Sequence, residues 1–357
     1  MTTNALFDIL KAEGPVPVER FFELSVSAYY AQGTAFGRSG DFTTAPEISQ
    51  VFGELIGGWC ALTWESLGRP DPFLLVELGP GRGTLMADLM RAASQMPGFC
   101  QASRLHLVET SPALRQQQAD ALSAFNPVWH DTLATIPKDF PLLIVANEFL
   151  DALPIRQFVR QPDGWHERLV EIGPKGTACF CLSRETSSDA KALLAPSLQE
   201  APIGAIAEAC PAALRLIDEI ALRLQRQKGS ALFIDYGPLE SGIGDSLQAV
   251  KGHAFAPVLD NPGQVDLTAH VDFAALARRA RAQGLCVWGP VMQGVWLQRL
   301  GILERTRSLA QGAKPLQNEL LLSGTRRLID PKEMGTLFKL LALTLPGFPV
   351  PSGFEVS

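Results

Sequence analysis

The stretch Phe73-Leu74-Leu75-Val76-Glu77-Leu78-Gly79-Pro80-Gly81-Arg82-Gly83-Thr84 joins a short apolar run to a glycine loop. An apolar run of this length bounded by glycine reads as a buried strand, and the periodic segment from Thr84 to Ala93 reads as a helix. A glycine loop in that position lets backbone N–H groups and a helix N-terminus approach a ligand closely. Spacing selects the ligand. Glycines at 79, 81 and 83 give GxGxG, whereas a dinucleotide fingerprint wants its third glycine at position 84, where Thr84 stands. The acid at the strand end, Glu77, bears on the same choice. A carboxylate repels a pyrophosphate and attracts the amino group and sulfonium of S-adenosylmethionine. The pattern points to S-adenosylmethionine as cofactor, with Glu77, Gly79, Gly81, Gly83 and Thr84 around it. Taken alone, the loop also fits a structural tight turn.

Downstream, strand and helix alternate. Arg104 to Glu109 reads as a second strand, followed by a helix beginning near Ser111-Pro112. Pro127 to His130 is a weak third strand and Pro141 to Ala146 a strong fourth. Repeated strand–helix units imply a parallel sheet with helices on both faces. Glu109 closes the second strand, where a carboxylate accepts hydrogen bonds from both hydroxyls of an adenosine ribose. Asp131 follows the third strand, the natural place for an acid near the adenine amino group. The fold class is therefore α/β, a Rossmann-like class I methyltransferase sheet.

Around this sheet the sequence predicts three additions. Leu6 to Lys11 and Val18 to Tyr30 have helical spacing, and a helix resumes at Pro46, capped by Thr44 or Thr43. Ile155 to Arg160, Trp165 to Ile172 and Thr177 to Leu182 read as strands of an insertion, followed by a polar stretch. Pro211 to Gln227 is helical, Ser230 to Asp235 returns to the buried-strand pattern, and Val271 to Gln283 is again helical. Leu285 to Trp288 is a strand and Val295 to Gln298 a candidate last one. From Ile302 to Leu345 the tail reads as mostly helical. The expected organisation is a helical lead and flap over 1–66, a methyltransferase domain over 67–300 with its insertion at about 155–210, and a helical tail over 301–357.

The composition of the 357 residues, 46% hydrophobic and 19% charged, suits a globular chain with a large core. A net charge of −6 gives no electrostatic support for nucleic-acid binding. No run approaches the roughly 20 apolar residues of a membrane span. Six cysteines without CxxC spacing read as reduced and structural, with no metal site. Met1 to Arg20 resembles neither a signal nor a transit peptide, so an intracellular location is expected.

Open α/β sheets bind ligands beyond the carboxyl ends of their strands, which makes Asn147, Glu148 and Asp151 the leading catalytic candidates. Methyl transfer needs a lone pair in line with the methyl carbon. For a guanidinium acceptor, Glu148 with Asp151 could grip the fork and draw its charge away from the attacking nitrogen. Asp151 could equally cap a turn. Asp235, Asp266, His270 and Asp272 are weaker candidates with capping as the alternative, and Glu208 before the Pro211 helix reads as a cap.

Several of these segments together resemble one family. Gly40-Asp41-Phe42-Thr43-Thr44-Ala45-Pro46-Glu47-Ile48-Ser49-Gln50, Phe52-Gly53-Glu54-Leu55, Glu77 to Thr84, Asn147 to Pro154 and Asp266-Leu267-Thr268 occur in the order found in the mitochondrial complex I assembly methyltransferase family. The resemblance implies a class I fold, S-adenosylmethionine use and protein arginine methylation, with symmetric dimethylation of a respiratory NADH dehydrogenase subunit as the expected reaction. It also implies a flap in which Asp41, Thr43 and Thr44 contact cofactor or substrate. The mitochondrial members carry a targeting leader, and the contrast implies a bacterial cytoplasmic homologue; Asn147 stands where they carry histidine. Two other functions remain open: methylation of a small molecule or another side chain, and a non-catalytic assembly chaperone that keeps nucleoside binding.

Overall fold

Apolar runs without alternation are buried on both faces, and four of them make the middle of the central sheet. A computed structural model of the chain describes residues 3–30, 44–252 and 254–355. Its seven-stranded sheet contains β1 (Phe73–Leu78), β2 (Ser103–Val108), β3 (Val128–His130), β4 (Leu142–Asn147), β5 (Gly229–Tyr236), β6 (Cys286–Met292) and β7 (Phe338–Thr344). The spatial order is β6-β7-β5-β4-β1-β2-β3. β1 to β5 run parallel, and β7 runs antiparallel to both β5 and β6. The chain moves outward from β1 through β2 to β3, then resumes on the other side of β1 with β4. That reversal opens a crevice beyond the tips of β1 and β4, the position where such sheets take ligands. This is the class I methyltransferase arrangement.

Two helices close one face of the sheet. Gln50–Ser66 packs on Thr84–Ala93, and Gly57 makes this approach possible, since a Cβ there would sit 2.4 Å from the Leu89 carbonyl oxygen. Phe52, Trp59, Phe73, Phe99 and Leu143 fill the core they share. Each such fully buried side chain is worth about 1.5–3 kcal/mol. The buried Glu54 carboxylate is braced by Arg91 and by Arg305 at 2.6 Å, joining a third helix, Ile302–Ala310. On the helix Pro211–Gln227, Arg223 donates to the carbonyls of Leu133, Ile136 (3.0 Å) and Pro137 (3.2 Å), fixing the connection from β3 to β4.

The chain divides into two compact units. The sheet above belongs to one. The other is built from Leu150–Leu216, Pro238–Leu276 and the N-terminal helices. Its five-stranded antiparallel sheet contains the three expected insertion strands, observed as Arg156–Gln161, Gly164–Ile172 and Ala178–Thr186, together with Val16–Pro17 and Ile206–Ala209. A three-stranded sheet is formed by Gln248–Lys251, Ala254–Ala256 and Asp266–Thr268. The sequence reading did not resolve these last strands or Ile206–Ala209, each being only three or four residues long.

Three segments differ from expectation. The helix expected from Pro46 starts at Ala45, stops at Ile48 and restarts at Gln50, because Ser49 is extended and its hydroxyl accepts the Val51 N–H at 3.3 Å. Val295 to Gln298 is not a strand but lies in the helix Gln293–Arg299, which buries Trp296 and Leu297. The tail is helical over Ile302–Ala310 and Pro315–Ile329, then returns to the sheet as β7, fully buried between β5 and β6. Leucine, alanine and lysine in Phe338–Thr344 favour helix locally, and burial in the sheet overrides that preference.

Candidate active site

The glycine loop leaves β1 with positive φ at Gly79 (66°), Gly81 (53°) and Gly83 (82°). At Gly79 the need for glycine is also steric: a Cβ would lie 2.7 Å from the Phe149 ring. Gly83 is the N-cap of Thr84–Ala93 and offers no side chain to its first N–H groups, which leaves them for a ligand. Thr84 Oγ1 donates to Glu47 Oε1 at 2.9 Å, so its hydroxyl secures the loop to the Ala45–Ile48 turn. Thr44 is described as the N-cap of that turn, and its side chain makes no capping bond. Asp41 and Thr43 lie outside the described residues.

Glu77 is 2% exposed and lies in register with Leu107 and Val145, beneath the loop. Among the described residues its Oε2 has no hydrogen-bond partner, and burial pushes its carboxyl up to about 8. On the adjacent strand, buried Asn147 Oδ1 also lacks a partner. Two orphaned acceptors at neighbouring strand tips, beside N–H groups of an uncapped helix, fit a ligand carrying both donors and acceptors. The ammonium and carboxylate of S-adenosylmethionine match that set.

Glu109 closes β2. Its Oε1 accepts the Ser111 N–H at 2.7 Å and its Oε2 lies 3.4 Å from Gln118 Nε2. Burial pushes its carboxyl up, opposed by backbone hydrogen bonds from Ser111 and Thr110 and by Gln118. Asp131 is 77% exposed at its side chain and pairs with Arg115 at 2.6 Å. Arg115 also donates to the Glu109 carbonyl, through Nε at 2.8 Å.

At the exit of β4, Glu148 holds a left-handed backbone with φ of 49°. That conformation is uncommon outside glycine and is shared here by Arg69, Asn126, Lys228 and Asn261. Its N–H donates to the Ile234 carbonyl at 2.9 Å, and its Oε1 accepts from the Ala45 N–H (3.0 Å) and Asn147 Nδ2 (3.1 Å). Asp235, at the end of β5, accepts the Phe149 N–H at 3.2 Å and the Tyr236 N–H at 2.9 Å. It therefore supports the turn that carries Glu148, a role the sequence did not reveal.

The remaining candidates fall in the other unit. The carbonyl of buried Asp151 accepts the Ala269 N–H at 2.9 Å. Asp272 caps the helix Phe273–Ala282 through the Ala275 N–H at 2.8 Å, and also accepts from Ser241. Asp266 is buried in its strand, and the His270 N–H donates to Ser246 Oγ at 2.9 Å. Glu208 does not cap the Pro211 helix; it accepts from Gln157 Nε2 at 2.7 Å and from Ser246, while Cys210 Sγ accepts the Ala213 N–H.

Residues 55–291 match the model of an S-adenosyl-L-methionine-dependent methyltransferase family. The chain belongs to that family. The methyltransferase is 34% identical over 93% of its length to the protein arginine methyltransferase NDUFAF7 of Danio rerio mitochondria, covering 84% of that protein. The human mitochondrial counterpart is also 34% identical, with 94% of this chain and 81% of the relative covered. A Burkholderia thailandensis protein solved with S-adenosyl-homocysteine bound superposes with a TM-score of 0.83 at 26% identity, over 99% of this chain and 94% of that one. Among the described residues, no helix is long and apolar enough to cross a membrane.

Proposed function

We propose that this methyltransferase transfers a methyl group to an arginine side chain of a protein, with symmetric dimethylation of a respiratory NADH dehydrogenase subunit during assembly as the specific reaction. The observation that carries this reading is Glu148. Its carboxylate stands at the strand tip next to the glycine loop, on a strained backbone, held by Ala45 and Asn147. A fixed carboxylate beside a methyl donor suits a guanidinium, because it holds the fork and concentrates positive charge away from the attacking nitrogen. The protein arginine methyltransferase relatives, aligned over nearly the whole chain, support the same acceptor.

When bound, the cofactor supplies an electrophilic methyl group; the chain supplies orientation and charge. Within this proposal Glu77, the glycine loop and Asn147 hold the methionine end, Glu109 and Asp131 the nucleoside, and Glu148 the acceptor. Thr44 and Thr84 complete the proposed site. A protein substrate and a cytoplasmic setting belong to the same proposal.

The test incubates the protein and its Glu148→Gln variant with labelled S-adenosylmethionine and cognate lysate, then maps labelled peptides. Label on a protein arginine, lost in the variant, is the expected result. Label confined to small molecules, or S-adenosyl-homocysteine binding without any transfer, would sink it.

A further inference from the structure

Gln118 is fully buried on the helix Pro112–Ala121, an otherwise polar segment whose other buried residue is Leu114. Its Nε2 donates to the Gly81 carbonyl at 2.7 Å and reaches Glu109 Oε2 at 3.4 Å. Its Oε1 accepts the Trp129 indole N–H at 2.8 Å. One amide therefore joins the glycine loop, the acid at the tip of β2, and β3. The neighbours fix its orientation: an indole only donates, while a carbonyl and a carboxylate only accept. A flipped amide would oppose all three. Helix formation needs none of these bonds, and Leu114 already supplies an apolar anchor.

We propose that Gln118 is a positioning residue for the cofactor, setting the Glu109 carboxylate against the glycine loop so that recognition of the ribose hydroxyls depends on it. The inference rests on the proposed role of Glu109 at the ribose. Glu109 touches the ligand, and Gln118 acts through it. The Ser111 N–H holds one carboxylate oxygen and the Gln118 amide the other, which restricts the group to one rotamer. Arg115, one turn earlier on the same helix, holds the Glu109 carbonyl and Asp131 from the outer side. Removing the amide leaves the Gly81 carbonyl and the indole N–H without their partner and frees the carboxylate to turn.

Calorimetry on the full chain with S-adenosyl-homocysteine and its 2′-deoxy analogue tests this. The unaltered protein should prefer the ribose form by about tenfold, the effect of one hydrogen bond to a charged group. Gln118→Met, close in length but without the amide, should weaken S-adenosyl-homocysteine binding by about tenfold and bring the preference close to one. A merely structural role would lower the melting temperature and leave that preference intact. Trp129→Phe, which removes only the donor to Oε1, should reduce the preference by about threefold, and it decides the question if Gln118→Met does not fold. A preference retained in both variants overturns the proposal while leaving Glu109 in place. An unaltered protein that binds both ligands equally overturns the ribose reading, and this inference with it.

Discussion

The edge proposed to hold the nucleoside and the edge proposed to carry transfer are built on opposite principles. Around β2 and β3, Glu109, Gln118, Trp129, Asp131 and Arg115 form a connected set of hydrogen bonds before any ligand arrives. At the tips of β1 and β4, Glu77 Oε2 and Asn147 Oδ1 are buried without partners among the described residues, and Glu148 sits on a left-handed backbone. A wired edge recognises a constant group at little ordering cost. An edge with unmatched acceptors and strain is less stable when empty, and its polar groups are matched only by what binds there. The difference implies distinct responses: a modest loss of affinity at the first edge, and at the second a loss of turnover at Glu148 and a pH-dependent affinity at Glu77.

The sharpest separation comes from Glu148→Gln. The amide keeps the shape and loses the charge, so methyl transfer should fall by about 100- to 1,000-fold, the cost of removing one preorganised electrostatic group. S-adenosyl-homocysteine affinity, measured by calorimetry, should stay within about twofold. An equal loss in both would merge the two edges. Gly79→Ala should act next most strongly and the other way round. Its Cβ would meet the Phe149 ring at 2.7 Å on a backbone with φ of 66°, so cofactor affinity should drop by about tenfold or more, with about 1–3 kcal/mol of stability. Wild-type affinity in that variant would show that the loop is not the cofactor's seat.

What the sequence made legible at these edges was whatever lies at the end of an apolar run. β1, β4 and β5 announce themselves through runs of Leu, Ile, Val and Phe and β2 through Leu105, Leu107 and Val108, so Glu77, Glu109, Asn147 and Glu148 could be placed at strand tips without a structure. Groups that act across the sheet left no such signal. Asp235 holds the Phe149 N–H from a strand 86 positions away. Gln118 is one of three consecutive glutamines, and only the docking of its helix decides which one is buried. The positive φ of Glu148 arises from the turn as a whole. β7 was lost because its residues prefer helix locally and become strand through burial alone.

A smaller effect follows from Glu77. Its carboxyl, pushed up from 4.5 to about 8 by burial, is largely protonated at pH 7 in the free protein. The folded state then binds more protons than the unfolded state between these values. The stability this contributes is fully present below about 4.5 and is lost as pH rises to about 8. The ammonium group of the ligand favours the ionised carboxylate, so binding releases a proton. Affinity for S-adenosyl-homocysteine should rise between pH 6 and 8, by about tenfold per unit at most, and level off above. Calorimetry in buffers of different ionisation enthalpy reads the proton directly. A flat profile, or the same slope in Glu77→Gln, would remove Glu77 from the methionine end.

The smallest change is expected at Asp131, and it tests whether the wired edge depends on its outermost member. The side chain is 77% exposed, and its Arg115 partner also has the Glu109 carbonyl to hold. A solvent-screened ion pair of this kind contributes about 0.2–1 kcal/mol. Asp131→Asn keeps an acceptor for the guanidinium and for an adenine amino group, so S-adenosyl-homocysteine affinity should fall by only about two- to threefold. The loss should shrink further in high salt, which screens an exposed pair and leaves the buried Gln118 amide untouched. A tenfold loss at Asp131 that persists in salt would shift the weight of nucleoside recognition from the buried amide to the exposed acid.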